Sequence, residues 1–117
     1  MFRLLRATRN SWHGLIAAAR SEQAFRQELV VFVIAIPVAF FITPETWRRI
    51  ALIVVLLLVM VVELLNTAIE KLSDHVTPAH HPDIGRVKDI GSAAVGVALA
   101  IAGFTWLLAL AERIGLI

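Results

Sequence analysis

Glu63, Asn66, Glu70 and Asp74 follow one another at intervals of three, four and four residues. That spacing keeps all four on one face of an α-helix. The residues just before them, Val59-Met60-Val61-Val62, are apolar, so the stripe starts inside a hydrophobic segment and runs out into water. A carboxylate at the centre of a bilayer costs about 2.5–3.5 kcal/mol on insertion scales, and such residues mark functional sites by default. Glu63 is expected roughly 9 Å inside the end of its segment, at about 1.5 Å per residue. Two or more carboxylates at such a boundary offer the hard oxygen ligands that Mg²⁺ shares with substrate phosphates. The deeper one is suited to removing a proton from a lipid hydroxyl. Lys88, followed by Asp89, supplies a cation for phosphate charge. Positioning, metal and charge neutralisation are what phosphoryl transfer requires. Proton relays use the same parts, so the stripe alone leaves both chemistries open.

Other chemistries are closed off. There is no G-x-x-x-x-G-K-[ST] sequence and no kinase glycine-rich loop, which excludes the two standard nucleotide cradles. The absence of cysteine excludes disulfides, thiolate catalysis and Cys-based zinc sites. The basic residues are not interleaved with exposed aromatics, so nucleic acid is not an expected partner. His80 and His81 lie in a proline-containing loop and read as solvated rather than ligating. Ser92 reads equally as a polar handle or as a small packing residue.

The elements that must position these groups follow from hydropathy. Of 117 residues, 59% are apolar, and the mean hydropathy is +0.81. A soluble domain has about 45–50% apolar residues, so the chain belongs in a membrane. It reads as one all-α integral membrane domain over residues 1–117, with three transmembrane helices preceded by an N-terminal amphipathic surface helix. Residues 1–28 form the surface helix and a polar link. Leu5, Thr8, Trp12, Leu15 and Ala19 fall on one face, with Arg3, Arg6, Asn10 and His13 on another, as suits a helix lying among lipid headgroups. In the link, Arg-Ser-Glu-Gln-Ala-Phe-Arg-Gln-Glu at 20–28, Arg26 is flanked by Glu22 and Glu28. This reads either as local ion pairs or as a carboxylate meeting the Glu70 end of the stripe.

The spans are expected at about 27–46, 49–70 and 90–111. Pro37 is expected to kink the first, and Thr43-Pro44-Glu45 makes the turn after it. Residues 71–87 read as a polar connection. The third span carries Ser92, Ala94, Gly96, Ala98 and Ala102, whose i,i+4 pairs permit close helix approach. No apolar run precedes Leu29, so the first long one is expected to remain as a span rather than a cleaved leader. Residues 1–28 hold five arginines and residues 71–88 hold Lys71, Arg86 and Lys88, against Arg48, Arg49 and Arg113 on the other side. The positive-inside rule puts the N-terminus and the 71–88 loop in the cytoplasm. Trp12 then falls at the inner interface, with Trp47 and Trp106 at the outer.

With E-L-L-N-T-A-I-E at 63–70 and G-R-V-K-D-I-G-S-A-A-V at 85–95, the chain resembles the small prokaryotic diacylglycerol kinase family, in its proteobacterial branch. S-W-H-G-L at 11–15 and E-Q-A-F-R-Q-E at 22–28 match the same family, so the resemblance runs the length of the chain. It implies a homotrimer of the bacterial inner membrane with active sites shared between protomers. The implied reaction phosphorylates 1,2-diacylglycerol from Mg-ATP to give phosphatidic acid. Carried over by motif, Glu63 resembles the general base, with Asn66 beside it, and Glu22 and Glu70 resemble the carboxylates that hold Mg²⁺ with ATP. Lys88, Asp89, Arg3, Asn10 and the Ala79-His80-His81 loop resemble nucleotide contacts. Trp12, Ala24, Glu28 and Ser92 resemble residues lining the lipid site together with Glu63. The chain departs from the family pattern at Asn10, where an aromatic tyrosine is familiar, and at Ile16, where a basic residue is expected.

The family also contains undecaprenol kinases with the same E-x-x-N-T-A-I-E core; S-W-H-G-L, A-F-R-Q-E and K-D-I-G-S-A-A look more like the diacylglycerol branch. A proton-coupled channel or transporter would place polar groups at the midplane of several helices. Here the first span has none, and the third has only Thr105 toward its far end. In a non-catalytic scaffold, Glu63 and Asn66 would serve as interhelical glue.

Overall fold

The computed structural model describes residues 2–77, 79 and 81–117. Among them there are four helices and no strand: α1 (Phe2–Ser21), α2 (Gln23–Ile42), α3 (Thr46–Val76) and α4 (Pro82–Arg113). The last three are long and apolar enough to cross a bilayer, which makes the chain an all-α membrane protein with a preceding shorter helix.

The breaks have local causes. Residues 20–28 are helical on both sides of Glu22, which is extended (φ −112°, ψ 109°) and alone separates α1 from α2. The link expected there is therefore a one-residue corner. Helix α2 runs continuously through Pro37 and ends at Thr43, since a residue ahead of proline is driven to extended backbone. Buried Thr43 then organises the turn. Its Oγ1 accepts the Glu45 N–H at 3.2 Å, and its carbonyl accepts from Arg49 Nε at 2.8 Å. The connection read as residues 71–87 is mostly helix as well, because α3 continues to Val76 and α4 starts at Pro82. Pro82 occupies the first helical position, where its missing N–H costs nothing. His81 caps that end, its Nδ1 accepting the Asp83 N–H at 3.1 Å.

Helices α3 and α4 pack most extensively, α2 lies against α3, and α1 rests on α2. Of the small residues expected to let α4 approach its neighbour, Ala98 and Ala102 enter the seam against Val59, whereas Ser92, Ala94 and Gly96 remain exposed. Gly91 is buried instead. At the other end Ala39, Ile42 and Leu52 form a second cluster with Trp106. The Trp106 indole donates to the Leu52 carbonyl at 3.1 Å, so this tryptophan ties α4 to α3.

Candidate active site

The α3 stripe is present as read, and the fold surrounds its polar end with groups from α2 and α4. Asn66 is buried among the helices. Its Nδ2 donates to Glu70 Oε1 at 3.2 Å, one turn further on, while its Oδ1 is buried without a hydrogen-bond partner. That oxygen faces Gly91 so closely that a Cβ there would overlap it. The carboxylates of Glu70, Glu22 and Glu28 are near enough to Glu63 to interact with it electrostatically. Four acidic side chains, from α3, the α1–α2 corner and α2, therefore share one region of the fold.

Glu22 reaches this cluster from the α1–α2 corner, and its Oε1 lies 3.1 Å from Lys71 Nζ on α3. The corner itself is held by Arg26. Its Nη1 donates to the carbonyls of Ala19 at 3.0 Å and Arg20 at 2.8 Å, and the Glu22 N–H serves Ala18 at 2.9 Å. These are carbonyls that a helix end leaves without internal partners. Arg26 is thus a C-terminal clamp for α1 rather than the local partner of Glu22 and Glu28 that the sequence suggests.

On α4, Lys88 pairs with Asp74 of α3, and Asp89 beside it is exposed. Ser92 is exposed one turn beyond Lys88, on the side of α4 that leads to Leu99 two turns later. Leu99 lines an apolar groove of about 290 Å³ that Ala24, Gln27, Glu28, Val31 and Phe32 share with Leu56, Val59 and Ala102. Glu28 stands in that groove with its Oε2 buried and unpartnered. Two residues expected at a lipid site, Ala24 and Glu28, therefore share one groove, and Val59 places it one turn from Glu63.

Other expected residues are not drawn in. Arg3, Asn10 and Trp12 lie on the exposed part of α1. The His81 imidazole is engaged as a helix cap, and the Ala79 carbonyl accepts from Thr77 Oγ1 at 3.2 Å. His80 lies outside the described residues. Sequence reasoning missed Gly91, Arg26, Lys71 and a second apolar groove of about 720 Å³ between α1 and α3, bordered by Gly14, Leu15, Leu64 and Ala68. The position of Gly91 directly before Ser92 is visible in the sequence, but its contact with Asn66 crosses two helices.

Three apolar helices with charged groups gathered around one end of their bundle define a membrane-embedded protein of catalytic aspect, and comparison with known proteins narrows that class. The family model for prokaryotic diacylglycerol kinase matches residues 9–110. The diacylglycerol kinase of Escherichia coli strain K12 is 42% identical over 113 residues, covering 97% of this chain and 93% of the relative. That of Pseudomonas aeruginosa is 46% identical over 104 residues, covering 89% and 85%. The Haemophilus influenzae protein of the same name is 42% identical over 103 residues, covering 88% and 87%. The chain belongs to the prokaryotic diacylglycerol kinase family and is an enzyme of that class.

Proposed function

We propose that this chain transfers the γ-phosphoryl group of ATP to the free hydroxyl of 1,2-diacylglycerol, producing phosphatidic acid at the cytoplasmic face of the bacterial inner membrane. The observation that carries this reading is the groove in which Glu28 stands, placed by Val59 one turn along α3 from Glu63. Its apolar walls suit acyl chains, and its carboxylate end suits a glycerol hydroxyl. Relatives named diacylglycerol kinase support the substrate class.

In this mechanism Glu63 accepts the hydroxyl proton, the hydroxyl oxygen forms a bond to the γ-phosphorus, and the bond to the bridging oxygen breaks to release ADP. Asn66 orients Glu70 through the 3.2 Å hydrogen bond between them. Glu28 holds the glycerol, with Ala24, Trp12 and Ser92 completing the lipid site. Lys88, Asp89, Arg3, Asn10 and the 79–81 loop contact the nucleotide.

Glu22 and Glu70 are the residues that would hold Mg²⁺. Among the described residues no three His, Cys, Asp or Glu side chains gather as a metal cage. A metal shared with nucleotide phosphates needs only one or two protein carboxylates. The cation already beside Glu22, the Lys71 ammonium, is consistent with such a position. Bound with ATP, the ion would neutralise charge on the transferring group. A homotrimer with shared sites would bring the exposed α1 residues and α4 of neighbouring protomers to the same cluster.

The test is transfer of labelled γ-phosphate from Mg-ATP in mixed micelles, with diacylglycerol and undecaprenol offered separately. Wild type is expected to form phosphatidic acid, and Glu63→Gln to be slower by about 10²–10⁴-fold, the usual contribution of a general base. Preference for undecaprenol would overturn the substrate assignment, and wild-type rates in Glu63→Gln would overturn the base.

A further inference from the structure

We propose that Lys71 and Asp74 are internal counter-ions of the nucleotide site, which a divalent metal and nucleotide phosphate must displace. The inference rests on the reading in which Glu22 holds metal and Lys88 holds phosphate. Glu22 lies 3.1 Å from Lys71 Nζ, and Lys88 is ion-paired to Asp74. Lys71 and Asp74 stand three residues apart on the last turns of α3, and each reaches to a different element, the α1–α2 corner and the start of α4.

The exposures show which partner is free to leave. The Lys71 side chain is 62% exposed against 32% for Glu22, and Asp74 is 64% exposed against 39% for Lys88. In both pairs the residue assigned to ligand is the more covered, and its counter-ion is the one able to swing into water. A metal arriving at Glu22 therefore exchanges one cation for another, and a phosphate arriving at Lys88 exchanges one anion for another. Each ligand thus displaces a partner of its own sign, at the expense of ligand affinity.

The test uses the full chain in detergent. Binding of Mn²⁺ alone is read by electron paramagnetic resonance in wild type, Lys71→Gln and Glu22→Gln. Binding of the non-hydrolysable analogue adenylyl imidodiphosphate is read by calorimetry in wild type and Asp74→Asn. Lys71→Gln is expected to bind Mn²⁺ about two- to fivefold more tightly, and Asp74→Asn to bind the analogue more tightly by a similar factor, the range set by an exposed ion pair. Glu22→Gln is expected to lose Mn²⁺. Wild-type affinity in either counter-ion variant, with Mn²⁺ lost from Glu22→Gln, overturns the proposal and leaves the metal assignment standing. Unchanged Mn²⁺ binding in Glu22→Gln overturns the metal assignment itself, and the Lys71 role with it.

Discussion

Asn66 is hydrogen-bonded on one side only. Its amide nitrogen donates to Glu70, and its buried oxygen faces the Gly91 backbone. That contact favours glycine at position 91: a methyl group there overlaps Oδ1 and forces either the amide or the helix to move. Overpacking of this kind typically costs about 1–3 kcal/mol, and a misplacement of about 1 Å can cost a hundredfold in rate. Gly91→Ala is therefore expected to lower kcat about 10- to 100-fold, measured by steady-state phosphorylation, with helix content unchanged by circular dichroism. Retained activity would mean that the Asn66–Glu70 orientation does not matter to the reaction. The 3, 4, 4 spacing makes the stripe legible in the sequence alone. What spacing does not reveal is which group from another helix completes each member, because it encodes neighbours on one helix only. Lys88 finds Asp74 across 14 residues of chain, and Gly91 finds Asn66 across 25.

Arg26 acts at the scale of elements. By serving the Ala19 and Arg20 carbonyls from the far side of the corner, it couples the direction of α1 to that of α2 and so the place of Glu22. A cation at a helix C-terminus is worth about 0.3–1 kcal/mol at an exposed position. Arg26→Gln is expected to speed amide exchange in residues 2–21 by up to about fivefold while leaving α3 unchanged, as hydrogen exchange with mass spectrometry would report. Equal rates in both helices, or none altered, would count against the clamp. Trp106→Phe probes the seam in the same manner. Loss of its bond to the Leu52 carbonyl should lower stability by about 1 kcal/mol in a denaturant titration. The three spans are readable from sequence because long apolar runs have few alternatives. Helix ends are not, since hydropathy locates the membrane boundary, whereas Lys71–Val76 and Pro82–Asp89 are polar and still helical.

At the scale of the whole molecule, the fold sorts charge to two ends. The corner of α1 and α2 meets the end of α3 through Glu22 and Lys71, and the start of α4 joins them through Lys88 and Asp74. The opposite end is closed by Arg48, which lies 3.0 Å from Glu45 and 2.6 Å from Glu112. Eight of the eleven Lys and Arg residues lie in segments 1–28 and 71–88, which flank the acidic cluster in sequence, and from the positive-inside rule we propose that this end faces the cytoplasm, where ATP is available. The absence of native cysteine makes the orientation directly measurable. Exposed Thr46 and exposed Asp83 sit at opposite ends, in the first turn of α3 and in the first turn of α4. In intact cells whose outer membrane has been made permeable, a maleimide unable to cross the inner membrane is expected to label Thr46→Cys and to spare Asp83→Cys. Asp83→Cys should react only after the inner membrane is opened. The reverse pattern would separate the carboxylate cluster from the nucleotide pool, and no phosphoryl transfer from cytoplasmic ATP could then run through Glu63.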